Sequence, residues 1–478
     1  MRRDLFTRTC RGLFRIKSID RMLKEAEGEH ALKKVLGPVE LVLFGVGAII
    51  GTGIFVITGI AAANYSGPAL VVSFIIAGLV CTAAALCYAE FATMVPIAGS
   101  AYTYSYASLG EMWAWIIGWD LILEYSVSVA AVAIGWSGYL ANVLGATGLV
   151  LPAAFINPPG TSGGLVNLPA ILIIGIITVL LCIGVRESAR VNTVIVAIKL
   201  GVVLLFLYLA FSHINPANWT PFMPFGWSGV FTGAAIVFFA YIGFDAVSTT
   251  AEEVKDPQHD LPIGILGSLV ICTVLYIAVS AVLTGIVPYY RFSATSAPVA
   301  YALTSIGIEW GAALISVGAI CGITSVLLVL LYGQTRIFFA MARDGLLPKL
   351  FGQVHPHFRT PVKITLVVGT ITAFLAGFLP LPLIAELVNI GTLAAFIIVA
   401  AAVIVLRRIE PGRERSFRCP LVPWVPLFCI VSCFALIVAL PTLTHLRFLV
   451  WLAIGLGIYL LYGRYHSNIC GDVLPEKT

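Results

Sequence analysis

The sequence predicts an all-α integral membrane protein of twelve spanning helices. Three observations predict it. Of the 478 residues, 60% are hydrophobic and only 11% are charged, where a soluble domain carries ~45–50% and ~25%. The apolar residues gather in runs long enough to cross a bilayer, about 20 residues each. Two of those runs, the first and the sixth, are interrupted in the same way. With a mean hydropathy of +1.01, the chain has too little charge for a water-soluble surface. That argues against a soluble enzyme, a nucleic-acid binder and a disordered protein.

The elements follow in order. Residues 1–36 hold ten Lys/Arg and five Asp/Glu, and the other 442 residues hold eighteen of each. This tail lacks the apolar core of a signal peptide. It is expected to be a cytoplasmic anchor at the lipid headgroups. Spans are expected at roughly 38–61, 69–94, 113–140, 167–185, 191–211, 228–250, 262–287, 310–340, 362–379, 383–406, 421–440 and 445–463. Pro/Gly clusters such as NPPGTSGG (157–164) separate them. With the N-terminus in the cytoplasm, 25 Lys/Arg lie inside, Arg291 and Arg447 lie outside, and Lys199 lies within a span. That bias orients the chain in the cell membrane with both termini cytoplasmic. None of the ten cysteines has a zinc-like spacing or lies in an outer loop, so they are expected as small buried apolar residues.

Span 1 reads GVGAIIGTGIF (45–55) and span 6 reads FFAYIGFDAVSTT (238–250). Each glycine weakens a helix by about 1 kcal/mol. Unwound backbone at membrane depth is tolerated only where protein or a water-filled cavity surrounds it. Close packing through small residues would account for one such run more readily than for two. The breaks stand five helices apart. Five is odd, so units 37–211 and 212–406 have opposite orientation. Helices 11–12 (407–464) and the tail 465–478 fall outside this 5+5 inverted repeat. Paired broken helices of this kind point to a transporter binding site. The amides of Gly51, Thr52 and Gly53 form the positive end of a half-helix and suit a carboxylate. The carbonyls of Ile49, Ile50, Phe239, Ala240 and Ile242 form a negative end and suit an ammonium. Together they describe an α-amino acid and leave its side chain open.

Those runs, with GPAL, CYAEF…PIAGSAYTYSYASLGE, GWDLILEY, AEEVKDPQ and LLYGQTRIFFAMARDGLLP, resemble the amino acid–polyamine–organocation superfamily. The resemblance covers about residues 36–465 and is strongest to the bacterial cationic-amino-acid-transporter branch. It implies the leucine-transporter-type fold and binding of the amino acid backbone by helices 1 and 6. Similar bacterial permeases carry neutral or branched-chain amino acids, so the branch does not fix the substrate.

Charged residues inside the spans cost at least about 2.5–3.5 kcal/mol each. Lys199 stands eight residues into span 5. Either it snorkels to the cytoplasmic face, or it is a proton-coupling group that releases its proton during the cycle. The resemblance implies the second, placing its ammonium where relatives hold sodium between helices 1, 5 and 8. Glu124 and Asp120 share one face of span 3. Glu124 is expected to balance Lys199, to bind a cationic substrate side chain, or to accept structural hydrogen bonds; Asp120 is expected to be structural. Asp245 opens the second half of helix 6, with a gating or relay role as the alternative. Glu90, Arg336 and Arg343 stand at the inner ends of spans 2 and 8, as gate pairs or interfacial anchors. Phe239, Cys321, Ile323 and Asn389 are candidates for the side-chain pocket. Most are apolar, which favours neutral aliphatic substrates, whereas Glu124 favours a cation.

The chain has no HExxH, GxSxG or GxxxxGK[ST] motif, so no enzyme, cofactor or metal site is expected. The expected function is proton-coupled uptake of L-amino acids by alternating access. An uncoupled exchanger of amino acids or amines, a cationic amino acid permease and an amino acid sensor are the alternatives. The expected partners are the amino acid, the proton and the lipid bilayer, with no nucleic acid. A small partner helix stays open.

Overall fold

Apolar segments become helices because lipid offers no partner for a backbone N–H or C=O. Among the residues that the computed structural model describes (15–19, 34, 36–96, 100–161, 163–184, 189–358 and 360–467), secondary structure is helical. One isolated bridge joins Leu36 to Val254. The main helices are α1 (Pro38–Ile49), α2 (Leu70–Met94), α3 (Ser100–Ser108), α4 (Glu111–Ala146), α5 (Leu168–Ile183), α6 (Ala189–Phe211) and α7 (Gly226–Val237). After them come α8 (Pro257–Ile286), α9 (Pro298–Ser305), α10 (Glu309–Arg343), α11 (Val362–Phe378), α12 (Leu381–Ile409), α13 (Trp424–Val438) and α14 (Thr442–Ile458). Among the described residues, eight helical stretches are long and apolar enough to cross a membrane, and α1, α5, α11 and α13 are shorter apolar helices.

The helices pack as two groups. In one, α8 lies along α1 and α2, and α7 lies on α2. In the other, α4 packs on α5, α10 and α11, and α11 packs on α5. α6 bridges α1 to α10, and α12 bridges α4, α2 and α13. α14 docks on α4 through indoles: Trp115 Nε1 donates to Gly455 O (2.9 Å) and Trp119 Nε1 to Trp451 O (2.9 Å).

The described part of the basic tail departs from expectation. Arg15, Lys17 and Ile19 are buried against protein rather than spread on headgroups. The Glu111 amide donates to Arg15 O (2.8 Å), the Lys17 amide donates to Tyr106 O (3.2 Å), and Lys17 Nζ pairs with Asp344 (3.3 Å). The polar backbone and side chains of α3, α4 and α10 offer these residues more partners than a lipid surface does. The rest of the tail before residue 34 and residues 468–478 lie outside the described residues.

Candidate functional site: two broken helices

Both glycine-rich runs are broken, and the breaks meet. α1 ends at Ile49, and Ile50 is extended at φ −74°, ψ 101°. The chain resumes as a π-helical turn, Gly53–Ile57. The amides of Gly51, Thr52 and Gly53 therefore stand at a helix start, where no preceding turn supplies an acceptor. In the sixth run α7 tightens into a 3-10 turn, Phe238–Tyr241, followed by extended Ile242 at φ −61°, ψ 134°. Gly243 has φ +119°, and a Cβ there would lie 2.9 Å from the Ala48 carbonyl. Only glycine meets both demands. Gly53 packs flush on Ala240, whose backbone a Cβ at Gly53 would overlap.

A tyrosine that sequence reasoning missed joins the breaks. The Tyr276 hydroxyl, from α8, lies 3.0 Å from Ile49 O and 2.8 Å from Ala240 O and donates between them. Both carbonyls belong to the expected ammonium site, and each keeps a second lone pair. A lone tyrosine in the apolar run VICTVLYIAVS reads as core, so only its hydroxyl hinted at a polar role. Two further ties reach span 1 from α4: Thr52 Oγ1 donates to Val132 O (3.4 Å) and the Tyr139 hydroxyl to Phe55 O (2.8 Å).

Lys199 is fully buried. Its Nζ donates to Gly47 O at 2.6 Å, just before the first break. Gly322 of α10 makes room, since a Cβ there would lie 2.7 Å from Lys199 Cγ. The ammonium thus points into the junction of α6, α1 and α10, and the snorkelling alternative is corrected. The lysine is held by a carbonyl left at a helix end, a better partner than a distant interface.

Glu124 is buried one turn along α4 from Asp120. Asp245 is buried at the start of the Ala246–Thr249 turn and makes no side-chain cap hydrogen bond to it. Asp120 Oδ1 has no hydrogen-bond partner among the described residues. Its neighbour is Gly391, where a Cβ would lie 2.7 Å from that oxygen. Among the described residues no three His, Cys, Asp or Glu are placed to hold a metal ion.

Phe239 and Ile323 are buried and Ile242 is half-buried. Asn389 Nδ2 donates to Ala235 O (2.7 Å) and Ile236 O (3.2 Å), holding the end of α7. Cys321 is exposed. α10 turns Gly322 and Ile323 inward, which points Cys321 the other way, so it is not a pocket residue. At the far end of α2, Glu90 meets Arg407 in a bidentate pair (2.9 and 2.7 Å), Arg415 at 3.2 Å and the Cys419 amide at 2.8 Å. Arg336 and Arg343, expected as gate residues or interfacial anchors, are not in that pair; Arg336 lies over the Tyr332 ring, 4.4 Å from its centre.

The amino acid permease family model matches residues 36–461. The branched-chain amino acid permease BcaP of Bacillus subtilis is 52% identical over 460 residues, covering 96% of this chain and 99% of that protein. The methylthioribose transporter of the same organism is 51% identical over 456 residues, covering 95% and 98%. The vacuolar cationic amino acid transporter 4 of Arabidopsis thaliana is 42% identical over 407 residues, covering 84% and 68%.

Proposed function

The chain belongs to the amino acid permease family, a family of multi-pass membrane transporters rather than enzymes, and from that premise we propose that it carries neutral, branched aliphatic amino acids into the cell in symport with protons. The observation that carries this reading is the meeting of the two breaks. Tyr276 holds Ile49 O and Ala240 O together beside the amides of Gly51, Thr52 and Gly53. A negative and a positive backbone end side by side fit one zwitterion. The relation to the branched-chain permease supports an aliphatic side chain, and buried Phe239 and Ile323 suit it.

In this reading twelve spans place both termini in the cytoplasm. Units 37–211 and 212–406 form the inverted repeat around the site, with 407–464 outside it. Lys199 is the coupling group: its bond to Gly47 O links its proton to the position of α1. Glu124 and Ile323 flank the substrate's side chain. A cationic substrate is the second reading, favoured by the buried carboxylates Glu124, Asp245 and Asp120 of spans 3 and 6 and by the relation to cationic amino acid transporters. The methylthioribose transporter is equally similar, so the substrate panel includes that sugar.

The test is uptake by purified protein in liposomes under an inward proton or sodium gradient. Accumulation of isoleucine or valine driven by protons is expected, with Lys199→Ala abolishing accumulation but retaining binding. Full proton-driven uptake by Lys199→Ala would remove the lysine from the coupling mechanism. Exchange indifferent to both gradients would replace symport by antiport.

A further inference from the structure

We propose that Ser128 is a specificity-determining residue that takes a hydroxyl on the substrate's side chain, so that the site distinguishes threonine from isosteric valine; this rests on the amino acid reading above. The argument begins with an unused hydroxyl. Ser128 is 2% exposed, and its Oγ has no hydrogen-bond partner among the described residues. A buried helical serine ordinarily returns its proton to the carbonyl one turn back. Ser126 does so to Ile122 O (2.7 Å) and Ser316 to Ala312 O (2.8 Å). Ser128 does not. A buried hydroxyl left unpaired is costly and asks for a partner that binds there.

Its position says which partner. Glu124, Ser128, Val132 and Gly135 follow at spacings that place them on one stripe of α4. That stripe faces the first break. Val132 O accepts from Thr52, and a Cβ on Gly135 would lie 2.6 Å from Thr52 Cγ2. Ser128 therefore sits about 6 Å along the helix from Val132, and as far from Glu124. In the amino acid reading, a substrate with its carboxylate on the amides of Gly51–Gly53 would lay its side chain along this stripe, from Thr52 toward Glu124. Ser128 is the hydroxyl along that interval. Being both donor and acceptor, it matches a side-chain hydroxyl and gains nothing from a methyl.

Equilibrium binding of threonine and valine to the purified full-length protein tests this. The wild type is expected to bind both, and Ser128→Ala is expected to lower the threonine-to-valine affinity ratio about 2- to 12-fold, the range for one hydrogen bond. Ser128→Cys, similar in volume but a weak donor, is expected to fall between and serves if the alanine variant does not fold. A ratio unchanged in both variants overturns the assignment while leaving amino acid transport standing. A wild type that binds neither these nor any other amino acid overturns the transport reading and the assignment with it.

Discussion

Tyr276→Phe removes one hydroxyl and leaves the rest of the side chain. The ring stays, and with it the contacts to Phe74 and Tyr241, at centroid distances of 5.4 and 5.3 Å. What is lost is the donor between Ile49 O and Ala240 O. Both residues are buried, and both carbonyls end helical segments that offer no amide from a following turn. Leaving buried acceptors without a donor costs about 1–3 kcal/mol. The substrate-free protein should therefore unfold a few degrees lower. The same carbonyls are assigned to the substrate's ammonium. Bound ligand then repairs part of the loss, so saturating amino acid should raise the unfolding temperature more in Tyr276→Phe than in the wild type. The assay is thermal unfolding of purified protein with and without ligand. A variant that unfolds with the wild type when empty would refute the pinning role. An equal ligand-induced rise in both proteins would separate these carbonyls from the ammonium site.

Gly243→Ala should abolish transport: φ +119° is a sparsely populated conformation that costs an L-residue about 1–3 kcal/mol, and the added carbon meets the Ala48 carbonyl. Uptake by cells, normalised to protein in the membrane, reads it. Glu90→Ala should lower thermal stability by roughly 3 kcal/mol, because it strips the carboxylate from the buried Arg415 as well as from Arg407. Unfolding at the wild-type temperature would show the cluster to be neutral. Arg407→Lys should recover little of that stability, since lysine cannot make the bidentate pair.

The two backbone breaks of the candidate site were legible in the sequence. Glycines clustered in an apolar run disclose a break because they weaken the helix locally, and both breaks stand at the runs that carry them. Parts made by long-range pairing were illegible. Nothing near Glu90 in the chain points to Arg407, 317 positions away. Tyr276 shows its role only once α8 lies beside α1 and α7. Cys321 failed for a related reason: which face of an apolar helix looks inward depends on neighbours, and lipid-facing residues are as apolar as core ones. Lys199 was legible as a residue that must have a partner, but its partner is a carbonyl, and a backbone group carries no letter in the sequence.

The ties at the breaks divide by where their ends lie, and this bears on motion. Tyr276 joins α8 to the ends of α1 and α7, all within one packed group, so its bonds survive if that group moves as a body. Tyr139 to Phe55 O and Thr52 to Val132 O join α4 to span 1 across the two groups. Rocking one group against the other has to break them. The Tyr139 bond is the shorter, at 2.8 Å, and it meets a carbonyl within the π-helical turn. Tyr139→Phe should therefore loosen the arrangement in which α4 and span 1 meet by about 0.5–1.5 kcal/mol, the net value of one such bond. That is about a 2- to 12-fold shift toward the arrangement in which α4 and span 1 part. Labelling rates of single cysteines placed along span 1 at residues 56–61 would report it, rising in Tyr139→Phe and unchanged in Tyr276→Phe. Equal rates in wild type and Tyr139→Phe would mean that the bond does not span a moving boundary.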